Sequence, residues 1–308
     1  MPNETKKAAA VAVITRTKDR TIMLERAAKS VKGQTFRDFV WVVVNDGGDP
    51  APVDQIVRGT GLLNVHVIHH TVNKGMEAAS NSGIHSVESA FVVIHDDDDT
   101  WAPTFLQETV SFMESERGKA FGGVITESVH IEERIVNETI QFILKKKWEP
   151  LLSFYPRGAV HLADVSVINQ FPPIAFLFRR SVGEKLGFYD ESLPVLGDWD
   201  FNLRFLRQSD ISVMSQPLAY YHHRPSITAA NAHYGNSVHA GFDRHSTYEA
   251  IIRNKHIRLG LEGNDPVFAN LLFSGRQALS ERMKNGSANR MADAIFHRLA
   301  KVIKRWQR

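Results

Sequence analysis

The sequence of 308 residues contains no cysteine, which excludes disulfide bridges, zinc–thiolate and iron–sulfur sites and a cysteine nucleophile. It also carries little net charge. The 37 Lys and Arg residues exceed the 34 Asp and Glu residues too slightly for the whole chain to be a nucleic-acid binder. With 43% hydrophobic and 23% charged residues, the composition excludes a disordered or fibrous chain. The length allows one large domain or two modest ones.

Long hydrophobic runs are missing as well. The longest uninterrupted apolar stretch covers residues 8–14, far short of the roughly 18 residues that a membrane-spanning helix requires. No signal-peptide pattern precedes this stretch. We therefore expect a cytoplasmic protein, with at most a peripheral position on the inner face of the cell membrane.

Four short apolar runs in the first hundred residues have strand length and are rich in β-branched residues. They cover residues 8–14, 39–44, 65–69 and 90–95. Segments with helical spacing lie between them, and Pro103 can open a further helix. This alternation predicts an α/β fold with a mostly parallel, Rossmann-like sheet and helices on both faces. Ligands of such folds bind beyond the carboxyl ends of the strands, so the polar segments after the four runs should form one crevice.

The pattern changes after about residue 120. Residues 124–141 alternate as in a β-hairpin, helical spacing returns at 181–186 and 200–207, and residues 211–221 have strand character. We interpret 119–230 as a second half that packs on the same sheet. Residues 231–308 are predicted to form a C-terminal helical extension.

The end of the chain is amphipathic at helical spacing. One face carries apolar side chains and another carries basic ones. The apolar face contains Met291, Ile295, Leu299, Val302 and Trp306, and the basic face contains Arg298, Lys301, Arg305 and Arg308. Two interpretations stay open for residues 291–308: a helix docked on the body of the protein, or contact with an anionic membrane surface.

Four aspartates, at 96 to 99, follow the fourth apolar run directly. Adjacent carboxylates repel one another unless positive charge lies beside them, and the usual source is a divalent cation. In an irregular loop, Asp96 and Asp98 can face one point. Mg²⁺ or Mn²⁺ held by one or two carboxylates keeps positions open for phosphate oxygens, so this cluster predicts a substrate with a diphosphate. The structural alternative is a solvated acidic turn.

The same residues match a second pattern. Asp96-x-Asp98-x-Thr100 is similar to the aspartyl-phosphatase signature of the haloacid-dehalogenase type, in which the first Asp is a nucleophile. That signature is expected after the first strand of its domain, whereas three strand-like runs come before it here. A phosphatase is therefore the minority hypothesis.

Several motifs, in order along the chain, resemble the family 2 glycosyltransferases with a GT-A fold. The resemblance covers about residues 11–226 and includes two departures in its first half: Arg16 replaces a usual proline, and Ser80 stands where an arginine is frequent. In the second half, Gly197 replaces a more usual Glu. The motifs are Thr17-Lys18-Asp19-Arg20, Ser30-Val31-x-x-Gln34-Thr35-Phe36, Asn45-Asp46-Gly47, Asn73-x-Gly75-x-x-x-Ala79-x-Asn81, Asp96–Asp99 with Trp101, Gly187-Phe188-x-Asp190-Glu191, Gly197-Asp198-Trp199-Asp200 and Tyr220-x-x-His223.

The resemblance implies a nucleotide-sugar-binding half at 1–118 and an acceptor-binding, catalytic half at 119–230. Asp46 would accept the ring N–H of a base, which suits uracil or thymine, and Thr17 and Lys74 would line the nucleotide pocket. Asp96 and Asp97 would contact ribose or the water shell of the metal. The donor would be a nucleotide-diphosphate sugar, and the acceptor a glycan or lipid-linked hydroxyl.

The resemblance also implies that Asp98, with His223 from the far side, holds Mn²⁺ or Mg²⁺, and that Asp198 is the catalytic base of an inverting transfer. A carboxylate base typically contributes about 10²–10⁴-fold to the rate, and a metal on the diphosphate acts as a Lewis acid. Asp200 is the alternative base, and Trp199 with Asp200 is a weaker sugar-binding candidate.

Structural interpretations stay open for each assignment. Asp198 could cap a helix, Asp46 could stabilise a turn, and His223 could be an ordinary packed histidine. Trp148, Phe154 and Tyr155, which with Trp199 could form a sugar-stacking platform, could be core residues. A non-catalytic nucleotide-sugar-binding protein is a third hypothesis for the whole chain.

Overall fold

The computed structural model describes residues 9–147, 158–225, 233–235 and 242–263. The first half alternates strands and helices, as predicted. Its elements are β1 Ala9–Thr17, α1 Thr21–Lys32, β2 Phe39–Asp46, α2 Pro50–Thr60, β3 Val65–His70, α3 Met76–His85, β4 Ser89–Ile94, β5 Thr100–Trp101 and α4 Phe105–Glu114. Each of the four predicted strands is present, with ends that lie within three residues of the expected ones.

The second half contains the predicted hairpin and helices. Its elements are β6 Gly123–Val136, β7 Thr139–Lys147, α5 Leu162–Val167, β8 Phe176–Arg179, α6 Arg180–Leu186, α7 Gly197–Gln208, β9 Ile211–His223 and α8 Phe242–Glu262. The hairpin extends further than predicted, because the basic residues 145–147 belong to β7.

The described strands form one sheet with the order β3-β2-β1-β4-β8-β6-β9-β5, and β7 pairs with β6. The pairings among β1, β2, β3 and β4 are parallel. The second half is mixed, since β8 runs antiparallel to both β4 and β6 while β9 runs parallel to β6. The α/β prediction is confirmed, and the sheet is all-parallel in its first half and mixed in its second half.

Helices cover both faces of this sheet, and β2 shows why its sequence is apolar throughout. Val40, Val42 and Val44 belong to one hydrophobic core, and Trp41 and Val43 belong to the other. Successive residues of a strand point to opposite faces, so a central strand between two helical layers needs apolar residues at every position. All eight residues of β2 are buried.

The two predicted halves share this sheet, because β4 of the first half pairs with β8 of the second. The amphipathic segment 291–308 lies outside the described residues, as do Trp148, Phe154 and Tyr155. Among the described residues, no helix is both long enough and apolar enough to cross a bilayer.

Candidate active site

The carboxyl ends of β1, β2 and β4 meet at one edge of the sheet because these strands are parallel neighbours. Thr17 ends β1, Asp46 ends β2, and the four aspartates follow β4. Thr17, Asp46, the first three of the four aspartates and the loop before α3 line a cavity of about 600 Å³. The predicted convergence of the polar segments is therefore seen for Thr17, Asp46, Asp96, Asp97 and Asp98.

Asp46 holds the loop that leads into α3. Its Oδ1 accepts a hydrogen bond from the backbone N–H of Lys74 at 2.8 Å, and its Oδ2 accepts one from that of Gly75 at 2.9 Å. His70 Nδ1 lies 2.8 Å from Oδ1. Lys74 contributes its backbone here while its side chain is exposed. Asp46 thus lines this cavity and also fixes the backbone of the neighbouring loop.

Gly47 allows this loop to approach β2. Its φ of +80° lies in the left-handed region, and a Cβ at this position would stand 2.5 Å from the backbone nitrogen of Asn73. Both observations require glycine. Gly47, directly after β2, is therefore a structural requirement of this crevice.

Arginines neutralise the aspartate cluster. Arg16 contacts both carboxylate oxygens of Asp96, with Nη2 at 2.6 Å from Oδ1. Arg20 donates from Nε to Asp97 at 3.1 Å. The sequence argument named a divalent cation as the usual source of compensating charge, and the structure shows that arginine side chains also supply it.

Two further arginines link Asp98 to the buried carboxylate of Glu133. Arg224 donates from Nη2 to Asp98 and from Nη1 to Glu133, the latter at 2.5 Å. Arg26 donates to the backbone carbonyl of Asp98 and, at 2.6 Å, to Glu133. His222 Nδ1 lies 2.9 Å from Glu133 as well. The loop of aspartates is therefore fixed by cations from β1, α1 and the end of β9.

These contacts give the aspartates different protonation behaviour. Burial alone would raise the pKa of Asp98, but the guanidinium groups of Arg20 and Arg224 outweigh it and hold the pKa well below its usual range. Burial raises the pKa of Asp97, and raises that of Asp99 well above its usual range. The paired arginines therefore keep Asp98 in its ionised form.

The donor set fits a magnesium or manganese ion. No group of three His, Asp or Glu side chains suited to a metal occurs in the part of the chain that the structure describes. These ions, however, are typically held by one or two carboxylates with water and substrate phosphates. Asp98 and Asp96 both line the cavity at the strand ends, so their carboxylates are the residues that would hold such an ion.

A second cavity, of about 240 Å³, contains both Asp96 and Asp198 in its wall. Arg16, Met76 and Tyr221 line both cavities, so the two adjoin. The larger cavity lies at the carboxyl ends of β1, β2 and β4. The smaller one lies between the aspartate loop and the first turn of α7.

Asp198 is held in place by amides. Asn169 Nδ2 donates to its Oδ2 at 2.7 Å, and the backbone N–H of Trp199 donates to its Oδ1 at 2.8 Å. Asn202 donates to Oδ1 of Asn169, which turns the Asn169 amine toward Asp198. Burial raises the pKa of Asp198, which makes it a stronger base than a solvated carboxylate. Asp198 lies in the first turn of α7 and is not its N-cap residue, which is Leu196.

Trp199 and Asp200 do not line either cavity. Trp199 is 2% exposed and donates from Nε1 to the carbonyl of Val165 at 2.7 Å. Asp200 is fully buried, with Arg204 at 2.8 Å and His256 at 2.9 Å. These contacts bury both residues away from the two cavities, and a sugar contact by either one stays a prediction.

His223 lies at the end of β9 with its ring 4.2 Å from that of His130 and 4.4 Å from that of Tyr221. The residue of this strand end that contacts Asp98 is Arg224. Metal binding by His223 remains a prediction.

Several residues of the site were missed by sequence reasoning. Arg16 appeared there only as a departure from the usual proline, and Arg20 only as the end of a motif. Glu77 and Arg224 were not identified. The available signal was the number of aspartates at one strand end, because several adjacent buried carboxylates require compensating positive charge.

The comparison with known proteins decides the family. The model of glycosyl transferase family 2 matches residues 12–186, more than half of the chain. The chain belongs to glycosyl transferase family 2. This glycosyltransferase is 25% identical over 201 residues to the uncharacterized glycosyltransferase YwdF of Bacillus subtilis (strain 168), a match that covers 63% of this chain and 67% of YwdF. The membership favours the transferase over the phosphatase hypothesis and supports dependence on a nucleotide sugar.

Solved structures share the fold of this glycosyltransferase. Residues 1–349 of S. aureus TarS in complex with UDP-GlcNAc match with a TM-score of 0.56 and 20% identity, over 71% of this chain and 60% of that one. The mannosyltransferase PcManGT from Pyrobaculum calidifontis, in complex with GDP-Man and Mn²⁺, matches with a TM-score of 0.59 and 16% identity, over 93% and 81%. These matches confirm the GT-A fold that the sequence predicted.

Proposed function

We propose that this glycosyltransferase transfers a sugar, with inversion, from a nucleotide-diphosphate sugar to a hydroxyl of a glycan or lipid-linked acceptor. The observation that carries the proposal is that Asp96 and Asp198 line one cavity, which adjoins the larger cavity with the remaining aspartates. Inverting transfer needs a base on one side of the sugar and stabilisation of the departing diphosphate on the other. The two cavities offer these two places.

The nucleotide is assigned to the larger cavity. Asp46 and Thr17 lie at its strand-end wall, and Lys74 contributes backbone to the loop beside it. A uracil or thymine base suits the carboxylate acceptor of Asp46, so UDP- and dTDP-sugars are the favoured donors. Asp97, which Arg20 holds, faces the same space and is assigned to the ribose side.

The acceptor hydroxyl is assigned to the Asp198 side of the smaller cavity. As the acceptor oxygen forms its bond to the anomeric carbon, its proton passes to the Asp198 carboxylate. The bond from the anomeric carbon to the phosphate oxygen breaks, and its electron pair leaves with the nucleoside diphosphate. Arg20 supplies fixed positive charge near the position assigned to that leaving group. A divalent cation held by Asp98 would add Lewis-acid stabilisation there, and the relative crystallised with Mn²⁺ supports its use.

A panel of nucleotide sugars tests the function. The full chain is mixed with UDP-GlcNAc, UDP-glucose, dTDP-glucose or GDP-mannose, with and without Mn²⁺, and thermal unfolding is measured. A true donor should raise the melting temperature, more so with Mn²⁺, since a ligand that binds the folded state stabilises it. Release of nucleoside diphosphate in the presence of acceptor extracts then measures transfer. Stabilisation without turnover by any acceptor would favour the non-catalytic binding hypothesis.

We further propose a role in cell-surface polysaccharide synthesis at the inner face of the membrane. The support is the alternation of basic and apolar residues in the segment 291–308. Removing this segment should reduce sedimentation with anionic vesicles, and high salt should reproduce the loss. Unchanged sedimentation would favour docking of the segment on the protein.

A further inference from the structure

The side chain of Glu77 is buried in the wall of the smaller cavity and lies where a side chain from position 197 would otherwise be. A Cβ on Gly197 would stand 2.3 Å from both Cδ and Oε1 of Glu77. Gly197 does not need glycine for its backbone, since its φ lies outside the left-handed region. Any side chain at position 197 would therefore overlap with the Glu77 carboxyl group.

The Oε2 atom of Glu77 is left without a hydrogen bond. It is buried and accepts none from the described residues. The nearest cation, Nη1 of Arg16, is 3.7 Å away, beyond hydrogen-bond range. The whole residue is 4% exposed. A buried carboxyl oxygen without a hydrogen bond is unfavourable by roughly 1–3 kcal/mol, so a ligand that supplies a hydroxyl here gains affinity.

The surrounding walls determine which part of the donor reaches this oxygen. The cavity that Glu77 lines also contains Asp96, on the diphosphate side, and Asp198, on the acceptor side. The group that belongs between these two carboxylates is the transferred sugar. Glu77 does not line the larger cavity assigned to the nucleotide.

We propose that Glu77 is a specificity-determining residue that forms a hydrogen bond with a hydroxyl group of the transferred sugar. The inference rests on the proposed function, because it needs a sugar donor in the smaller cavity. Burial, together with the charges of Asp198 and Asp96, raises the pKa of Glu77 to about 8 despite the nearby Arg16. The carboxyl thus carries a proton for most of the time at neutral pH, which lets it donate or accept.

The test compares binding of a nucleotide sugar with binding of its free nucleoside diphosphate. Wild-type protein, Glu77→Ala and Glu77→Gln are titrated calorimetrically with the panel member that stabilises the wild type most, and with the matching diphosphate. We expect Glu77→Ala to bind the nucleotide sugar about tenfold more weakly and the free diphosphate within about twofold of wild type. Glu77→Gln, which keeps donor and acceptor groups of the same size, should stay close to wild type for both ligands.

Glu116→Ala, which removes a glutamate that is exposed on the surface, is the matched control. Equal binding of the nucleotide sugar by Glu77→Ala and wild type would overturn the inference while leaving the proposed function intact. Equal weakening of both ligands would also overturn it, since it would indicate a structural role. If the wild type binds none of the nucleotide sugars, the proposed function itself fails, and the inference with it.

Discussion

Arg16 donates a hydrogen bond from Nη1 to Oγ of Ser80 at 3.2 Å. These are two positions where the sequence departs from the family pattern, with Arg16 in place of proline and Ser80 in place of a frequent arginine. The structure therefore brings a guanidinium from β1 to the position beside α3 where that arginine would start. From there Arg16 pairs with Asp96. A guanidinium therefore lies beside position 80 although this position itself carries a serine.

The same kind of exchange links Glu77 and Gly197, and it leads to a rescue prediction. Gly197→Glu alone should weaken binding of the nucleotide sugar, because two side chains compete for one space. The double variant Glu77→Ala, Gly197→Glu should bind it more tightly than either single variant, because one carboxyl again fills the cavity wall. Calorimetric titration of the three variants measures this. Additive losses in the double variant would contradict it.

Replacing the proposed base should slow transfer strongly without loss of donor binding. In Asp198→Asn, the amide keeps the contact with Asn169 or Trp199 but cannot take a proton, so we expect the turnover number to fall about 10²–10⁴-fold. The measurement is release of nucleoside diphosphate with acceptor present, and donor affinity is titrated in parallel. Asp210→Asn, at an exposed position, is the control. Full activity of Asp198→Asn would remove the assignment.

Two neighbouring aspartates should differ in their response to manganese. Asp98 is kept ionised by Arg20 and Arg224, whereas burial raises the pKa of Asp99 well above its usual range. We expect Asp98→Asn to lose the additional thermal stabilisation that Mn²⁺ gives to the UDP complex, and Asp99→Asn to retain it. Thermal unfolding of both variants, with UDP and with or without Mn²⁺, provides the comparison. Retention of the Mn²⁺ effect in both would indicate a different ligand.

The Glu133 carboxylate should make stability depend on acidic pH. Burial would raise its pKa, but hydrogen bonding to His222 and the charge of Arg26 lower the pKa from 4.5 to about 2. A lowered pKa means that the stabilisation is present above pH 4.5 and is lost as the pH falls toward 2. The loss should be on the order of 3 kcal/mol. Urea unfolding at several pH values gives the free energy of unfolding as a function of pH. This free energy should depend less steeply on pH in Glu133→Gln than in wild type or Glu132→Gln. Equal slopes would contradict the prediction.

Asp200 should matter for stability and not directly for catalysis. Its carboxylate is fully buried, with Arg204 at 2.8 Å, His256 at 2.9 Å and Lys255 at 3.2 Å. Asp200→Asn removes the buried carboxylate that pairs with Arg204, so the free energy of unfolding should fall by about 3 kcal/mol. Urea unfolding measures the change. Unchanged stability together with lost transfer would instead favour Asp200 as the base.

The sequence predicted the first half of the fold closely, because central parallel strands are buried on both faces and are therefore continuously apolar. The hairpin of β6 and β7 was also predicted from alternation. The mixed direction of the second half could not be predicted, since β8 is only four residues long and its four apolar or basic residues fit either direction. Strand direction there is set by the path of the connecting chain.

The sequence by itself determined which strand ends carry carboxylates, because parallel strands bring their carboxyl ends to one edge wherever each lies in the chain. Only the tertiary structure decided which side chains form ion pairs with those carboxylates. Arg16, Arg20 and Arg224 come from β1, the start of α1 and the end of β9, and their pairing with the aspartate cluster depends on contacts between residues up to 126 positions apart. Local sequence patterns do not predict such contacts. A buried charge needs a partner that is close in the folded structure, and this partner can lie at any distance along the sequence.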